Sequence, residues 1–475
     1  MNGRVAGAVA TAAATGVALL AIALHVGLIP AASWGSDEFV TFALLRDGGF
    51  GFFAKRLVDW SPRPISDGVL WGYQQAVAAT GRQLMVPFLL LVWSALPVAA
   101  LAALGARSRV GWLLASAILA LFLLGHPVGE AFYWPMGASA YVLGLAGITF
   151  VVLRMAQAGP LTRRGKLGCS AAMVLAAGSS EIGIVFVATL CVALFAVAAA
   201  EGGWRQRARA VGRLAWLFVP LAVCLVLGGL LATGRVAQGI ERMAESPVYF
   251  KHAWPSLIAA AERLGGEFAS IAIPSDMPSP VLERLDRVLF VVGITLCLRA
   301  GGVAPGPPAR LFVLAAALGI AAFASLASAY HQFGVLCCER HATVRACLSV
   351  LLLVVLAFAL ARLRTLGRVP RRWIGIAGPV FVAMAVLLPL AVSIPALRAD
   401  YASEHARIAI RDANWRAGHD TIGPSMTFET LSHGSIVDGF GATAGRTVLS
   451  GPASGFALGV MQYFGKSEVR MLNGP

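Results

Sequence analysis

Asp37 and Glu38 stand side by side between Trp34 and Phe39, directly after the first long apolar run of the chain. An ionisable side chain at hydrocarbon depth costs at least ~2.5 kcal/mol and is usually paired or turned toward a cavity. Carboxylates at such a boundary therefore need a reason. Three further stretches share the property: Glu130 to Trp134 within HPVGEAFYWPMG, Glu181 after Gly178-Ser179-Ser180, and Glu339-Arg340-His341 with Arg345. Carboxylates take and hold protons, and guanidinium groups hold anions through paired N–H bonds. Each group adjoins a different apolar run, which leaves two outcomes open. Either the four places meet in one outward-facing pocket, or they neutralise one another as structural ion pairs.

The elements that must position these groups follow from composition. The chain has 475 residues, 58% hydrophobic and only 13% charged, with a mean hydropathy of +0.77. Such a chain belongs in a bilayer, where helices satisfy their own backbone groups, so the expected fold is an all-α polytopic bundle. The net charge of +15 does not point to nucleic acid, because the basic residues fall in short clusters between apolar runs, as orientation signals do. The runs are 5–28, read as an uncleaved anchor, then 84–104, 111–125, 138–153, two helices within 167–200 meeting near Glu181, 214–232, 288–298, 311–329, 346–361 and 374–394. This predicts about 11 spans over a transmembrane domain at 1–394, followed by a polar tail at 395–475. Placing the N-terminus in the cytoplasm puts the basic clusters inside, with Glu201 the one acid among them, and the other carboxylates and the tail outside.

Between the first two spans, residues 34–63 alternate Phe39, Phe42, Phe50, Phe52 and Phe53 with Arg46, Asp47, Lys55, Arg56 and Asp59. That pattern suits one or two helices lying in the membrane interface, or a solvated loop with interfacial anchors. The seven cysteines show no CxxC spacing, so neither a structural metal site nor a disulfide framework is expected. Adjacent Cys337 and Cys338 are read as packed thiols rather than a vicinal disulfide.

Four motifs give the chain a resemblance to the GT-C superfamily of integral-membrane glycosyltransferases, in its GtrII-like bacterial branch. They are the acid pair in SDEF (36–39), the aromatic stretch FYWPMGASAYVLG (132–144), the Ser-Glu at a broken helix (178–181) and the late ERH loop (339–341). The C-terminal ASGFALGVMQYFGKSEVRML also resembles the tail that closes such proteins on the outer side. The resemblance implies a multi-pass protein of the bacterial plasma membrane that moves a sugar from a polyprenyl-phosphate donor to a cell-envelope glycan or glycolipid. It also implies that the first-loop acid is the catalytic base, which makes Asp37 the leading residue and Glu38 the second.

An inverting transfer fits those residue types. One carboxylate takes the acceptor hydroxyl proton while the anomeric carbon gains oxocarbenium character. The phosphate leaves without an acid, and arginine stabilises it; Arg340, Arg345 and Arg63 are the candidates, with His341 either a further donor or structural. Tyr133 and Trp134, with Glu130 and Glu181, would line the sugar or acceptor pocket, unless the aromatics only join the interfacial belt. Nothing in the spacing requires a metal, although a divalent cation bridging Asp37 and the phosphate is compatible with the resemblance. Rival readings are a flippase or transporter of a lipid-linked saccharide and an O-antigen polymerase or ligase. The first would favour ionisable groups at mid-span, and the second a long outer loop rich in Arg and His.

Overall fold

The computed structural model describes residues 3–105, 108–200, 204–245, 253–270, 279–333, 339–363, 370–429, 431, 434–437 and 455–472. Cys337 and Cys338, and part of the arginine cluster between 362 and 372, lie outside them. The helices in order are α1 (Gly3–Val26), α2 (Ser36–Asp59), α3 (Pro64–Thr80), α4 (Met85–Leu104), α5 (Arg109–Leu123), the single turn α6 (Pro135–Gly137), α7 (Leu143–Met155), α8 (Arg163–Ser179) and α9 (Glu181–Ala199). They continue with α10 (Trp204–Gly212), α11 (Phe218–Glu245), α12 (Ala253–Ser270), α13 (Pro280–Ala300), α14 (Pro308–Phe333), α15 (Glu339–Leu360), α16 (Arg371–Asp420) and α17 (Gly455–Phe464). Two strands, β1 (Ser425–Glu429) and β2 (Glu468–Leu472), pair in parallel.

Eight helical segments among the described residues are long and apolar enough to cross a membrane, so the chain is an all-α polytopic protein suited to a bilayer. The expected number was larger, and the difference lies in α5, α8 and α13. At 15 residues, α5 extends only about 23 Å, less than a hydrocarbon core of about 30 Å. Helix α8 has 17 residues and opens Arg163-Arg164-Gly165-Lys166. In α13 the first half carries Glu283, Arg284, Asp286 and Arg287, whose transfer to lipid is costly.

Contacts between connections define two ends of the bundle. At one end Tyr401 Oη donates to Leu24 O at 2.7 Å, His25 meets Tyr133, and Arg63 meets Glu181. This is the site end. At the other end Arg310 reaches Gln157 O, Arg299 reaches Ala361 O and Lys166 reaches Arg213 O.

The expected break near Glu181 is present. Helix α8 stops at Ser179, Ser180 is extended (φ −154°, ψ 152°), and its Oγ accepts the N–H of Gly183 at 3.1 Å as the N-cap of α9. A serine in that role satisfies a donor that the first turn leaves unpaired. The segment after the first span forms α2 and α3, and α2 bends at Gly49, whose φ of +52° excludes most side chains.

The last apolar run does not end its helix where the polar tail was expected to begin. Helix α16 runs 50 residues, through Pro379, Pro389 and Pro395, to Asp420, a length of about 75 Å. Each interior proline removes a backbone hydrogen bond. Past Pro395 the loss is offset by strong helix formers and by docking: Tyr401 bonds Leu24 O, and Arg411 Nη1 donates to Ala32 O at 3.0 Å and also to Pro30 O. Beyond it, Asn414 exchanges hydrogen bonds with Glu429 at the end of β1. Buried Asp400 accepts the N–H groups of Ser435, Ile436 and Val437.

Helix α17 supplies part of the crossover that parallel strands need, and it packs along α2. Arg46 donates to the carbonyls of Tyr463 and Gln462 at its C-terminal end, at 2.6 and 3.3 Å. Trp34, 4% exposed, lies edge-on to Phe42, Tyr73, Trp415 and Tyr463 and so joins α2, α3, α16 and α17.

Helices α13 and α16 touch backbone to backbone through glycine. A Cβ at Gly293 would lie 2.8 Å from Val382 N and 3.0 Å from Gly378 O. Small residues allow such approaches where lipid offers no hydrophobic drive for association. Gly293→Ala must push the two helices apart, so we expect a loss of about 1–3 kcal/mol, visible as a lower thermal midpoint in detergent. An unchanged midpoint would contradict the close approach.

Candidate functional site

The first turn of α2 is built around Glu38. Gly35 stands at the N-cap with no side chain to offer, and Glu38, three residues on, accepts the Gly35 N–H at 2.8 Å, as the glutamate of a capping box does. The same carboxylate reaches another segment: Trp134 Nε1 donates to Oε2 at 2.6 Å and Met136 N donates to Oε1 at 3.0 Å. Its exposure is 0%. Burial pushes its pKa up to about 8, against the pull of the three N–H donors. Of the acid pair, Glu38 is therefore held on both oxygens inside the protein, while Asp37 is half-buried.

The segment that Glu38 grips is irregular for a reason visible in its residues. Gly129–Tyr133 and Ala138–Val142 are wide π-helical turns on either side of Pro135. Gly137 packs where a Cβ would strike Glu130 O and the Trp134 ring. Such turns re-aim side chains, and here they separate the two neighbouring aromatics. Trp134 turns to Glu38 and presents its ring to Arg340, whose Cζ lies 5.6 Å from the ring centroid. Tyr133, 1% exposed, turns into the bundle, where its Oη donates to His25 O at 2.9 Å and lies 3.0 Å from His25 Nδ1. Tyr133 thus belongs to the packing of α1 rather than to a shared aromatic wall.

Arg340, in the first turn of α15, meets Glu130 from two sides. Its backbone N–H donates to Glu130 Oε2 at 3.3 Å and its Nη1 lies 3.5 Å from the same oxygen. Beside this pair, Glu181 binds Arg63 in a fork: Nε to Oε2 and Nη2 to Oε1, both 2.9 Å, with Ser61 Oγ donating to Oε1 at 2.7 Å. The Arg63 guanidinium also lies 5.8 Å from the Tyr141 ring centroid. His341, next to Arg340 on α15, is within electrostatic reach of Arg340, Glu181, Arg345 and Arg63. Behind Arg63, Arg56 and Asp67 form a further pair at 3.3 Å. Burial raises the Asp67 carboxyl, and Arg56 and Arg63 oppose that rise.

Six of the sequence-derived residues (Glu38, Trp134, Arg340, Glu130, Glu181, Arg63) are thus brought to the site end, with Asp37 and His341 beside them. Arg345 is not brought to that cluster. Five residues beyond Arg340 on one helix, it points about 140° away and lies 3.8 Å from Glu267 of α12. Ser61, Tyr141, Arg56 and Asp67 were not singled out by sequence. Ser61 and Asp67 flank Arg63 in SPRPISD, and Tyr141 lies in the same motif as Trp134, so proximity in sequence was the available signal. Among the described residues no group of three or more His, Cys, Asp or Glu is placed to hold a metal ion. No protein-family model matches the sequence, and no curated protein matches it significantly.

A carboxyl whose pKa rises on folding binds more protons folded than unfolded, so stability is lost as pH climbs from 4.5 to about 8. The slope is at most about 1.4 kcal/mol per pH unit. Thermal midpoints of the wild type should fall across that window relative to Glu38→Gln, which does not titrate there. Parallel profiles would mean that Glu38 is ionised throughout.

Proposed function

We propose that the protein is a GT-C-type membrane glycosyltransferase that moves a sugar from a polyprenyl-phosphate donor to a cell-envelope glycan or glycolipid, by inversion. The observation that carries this reading is the gathering of a half-buried acid, Asp37, with two aromatic-backed guanidinium groups, Arg340 on Trp134 and Arg63 on Tyr141, at one end of the bundle.

In this reading Asp37 takes the proton of the acceptor hydroxyl as that oxygen attacks the anomeric carbon. The bond from that carbon to the phosphate oxygen breaks, and the phosphate leaves as an anion that Arg340 and Arg63 stabilise. Glu130 and Glu181 hold the two guanidinium groups before the donor arrives, since a charge left unpaired there would be costly. Glu38 holds the first turn of α2 and the ring of Trp134, and through them the relative placement of Asp37 and Arg340. His341 supplies a further donor, while Arg345 has its own partner in Glu267 and is not assigned a phosphate. A divalent cation would find in the acid pair only Asp37 as a ligand, because both Glu38 oxygens already accept N–H donors; no step is routed through one.

The reading places the N-terminus in the cytoplasm of a bacterial cell, the site end outside, and α2 with α3 along the outer interface. The separation of basic connections at the far end from carboxylate pairs at the site end supports that orientation. A C-terminal alkaline phosphatase fusion should be active and a C-terminal green fluorescent fusion dark; the reverse would invert the topology.

Membranes holding a radiolabelled polyprenyl-phosphate hexose pool test the chemistry. Wild type should discharge the carrier and empty-vector membranes should not. Asp37→Asn should be slower by about 10²- to 10⁴-fold, the usual contribution of a general base. Arg340→Lys, which keeps the charge and loses the fork, should lose on the order of 10- to 100-fold. Discharge by Asp37→Asn at the wild-type rate would remove the base assignment. Carrier that crosses the membrane with its sugar intact would favour a flippase.

A further inference from the structure

Helix α12 lies in the long connection that composition marks as polar, yet it leaves an apolar stripe exposed. Trp254, Leu257 and Ile258 are 71%, 39% and 43% exposed, and Ala261 and Gly265 continue the same face as exposed residues. The opposite face buries Ser256, Ala260 and Glu267 at 6%, 0% and 9% exposure. Helical spacing puts 254, 258, 261 and 265 on one stripe and 256, 260 and 267 on another. A helix folding against water hides its apolar stripe and shows its charges. Here Glu262 and Arg263 are exposed beside the apolar stripe, and on the inward face Glu267 accepts from Arg263 Nε at 3.1 Å and lies 3.8 Å from Arg345.

We propose that α12 is immersed in the bilayer boundary, with its Trp254, Leu257 and Ile258 face against the acyl chains of the surrounding phospholipid. Three observations argue for lipid as the occupant. Helix α12 packs on α14, which contains a candidate span and itself exposes Phe312 and Ile320. Helix α11, which precedes it, exposes Phe218, Val219, Leu225 and Val226 on another such span. The apolar stripe of α12 thus stands on a helix packed against a candidate span, α14, that leaves apolar side chains of its own exposed. A large tryptophan at one end of that stripe suits the headgroup level. The inward charges also have an explanation in this setting, since Glu267 and Arg345 neutralise each other on the side away from hydrocarbon.

The full-length protein, with Cys337→Ser, Cys338→Ser and Ile258→Cys, can be labelled with a nitroxide and reconstituted in phosphatidylcholine and phosphatidylglycerol vesicles. The five other cysteines are buried. The expected result is a label whose power saturation responds to oxygen and not to a water-soluble nickel chelate. A response to the chelate would place the stripe in water, and no response to either would mean that protein covers it; both overturn the proposal. As a second reading, dibrominated phosphatidylcholine should quench a larger fraction of the fluorescence of wild type than of Trp254→Phe. Equal fractions would also overturn it.

Discussion

A carboxylate removed entirely from water needs donors on every side, and Glu38 obtains them from two parts of the chain. The N–H of Gly35 is local; the indole of Trp134 and the N–H of Met136 come from a segment 96 and 98 residues further on. Leaving any of these groups unpaired in the interior costs free energy, so the first turn of α2 and the π-helical stretch hold one position relative to each other. That constraint propagates. With its indole fixed, Trp134 offers a set ring face to Arg340, and Arg340 in turn meets Glu130. Asp37, one residue from Glu38, inherits its place from the same turn.

The two ends of the bundle handle positive charge differently. At the site end three guanidinium groups meet carboxylates, Arg63 with Glu181, Arg340 with Glu130 and Arg56 with Asp67, while Arg411 and Arg46 meet backbone carbonyls. At the far end guanidinium groups meet backbone carbonyls beyond or at the ends of helices, as Arg310 does at Gln157 and Gly159, Arg362 at Gly306, and Arg299 at Ala361. Arg299, bonded to the carbonyl just past the C-terminus of α15, is also stabilised by that helix's dipole. A buried cation remote from such carbonyls does need an acid. The carboxylate pairs thus collect at one end of the bundle.

The C-terminal segment ties itself to that end. Helix α16 carries the chain beyond the apolar region, Asp400 gathers the N–H groups of 435–437, and α17 lies along α2 with Arg46 on its last carbonyls. Trp34 closes the junction through edge-on contacts with five aromatic rings, an arrangement that favours fixed geometry over a sliding interface. The helix bearing the acid pair is thereby fastened at its start by Glu38 and along its length by α17.

Much of this was legible in the residues, and the reasons for what was not are physical. Apolar runs determine helices in lipid because no other local structure satisfies the backbone there, so the helical, polytopic character and the break at Ser180 could be read directly. The cost of burying charge likewise singled out Asp37, Glu38, Glu130, Glu181 and Arg340. Hydropathy cannot tell a crossing helix from one too short or too charged at one end, which is why α5, α8 and α13 were counted as spans. Nor does it report which face of α12 turns inward, or that α16 continues past Pro395, since both depend on what docks there. Whether an acid caps a turn or faces a cleft depends on which N–H groups arrive from far along the chain. Tertiary structure alone decided that for Glu38, and likewise turned Tyr133 toward His25 and Arg345 toward Glu267.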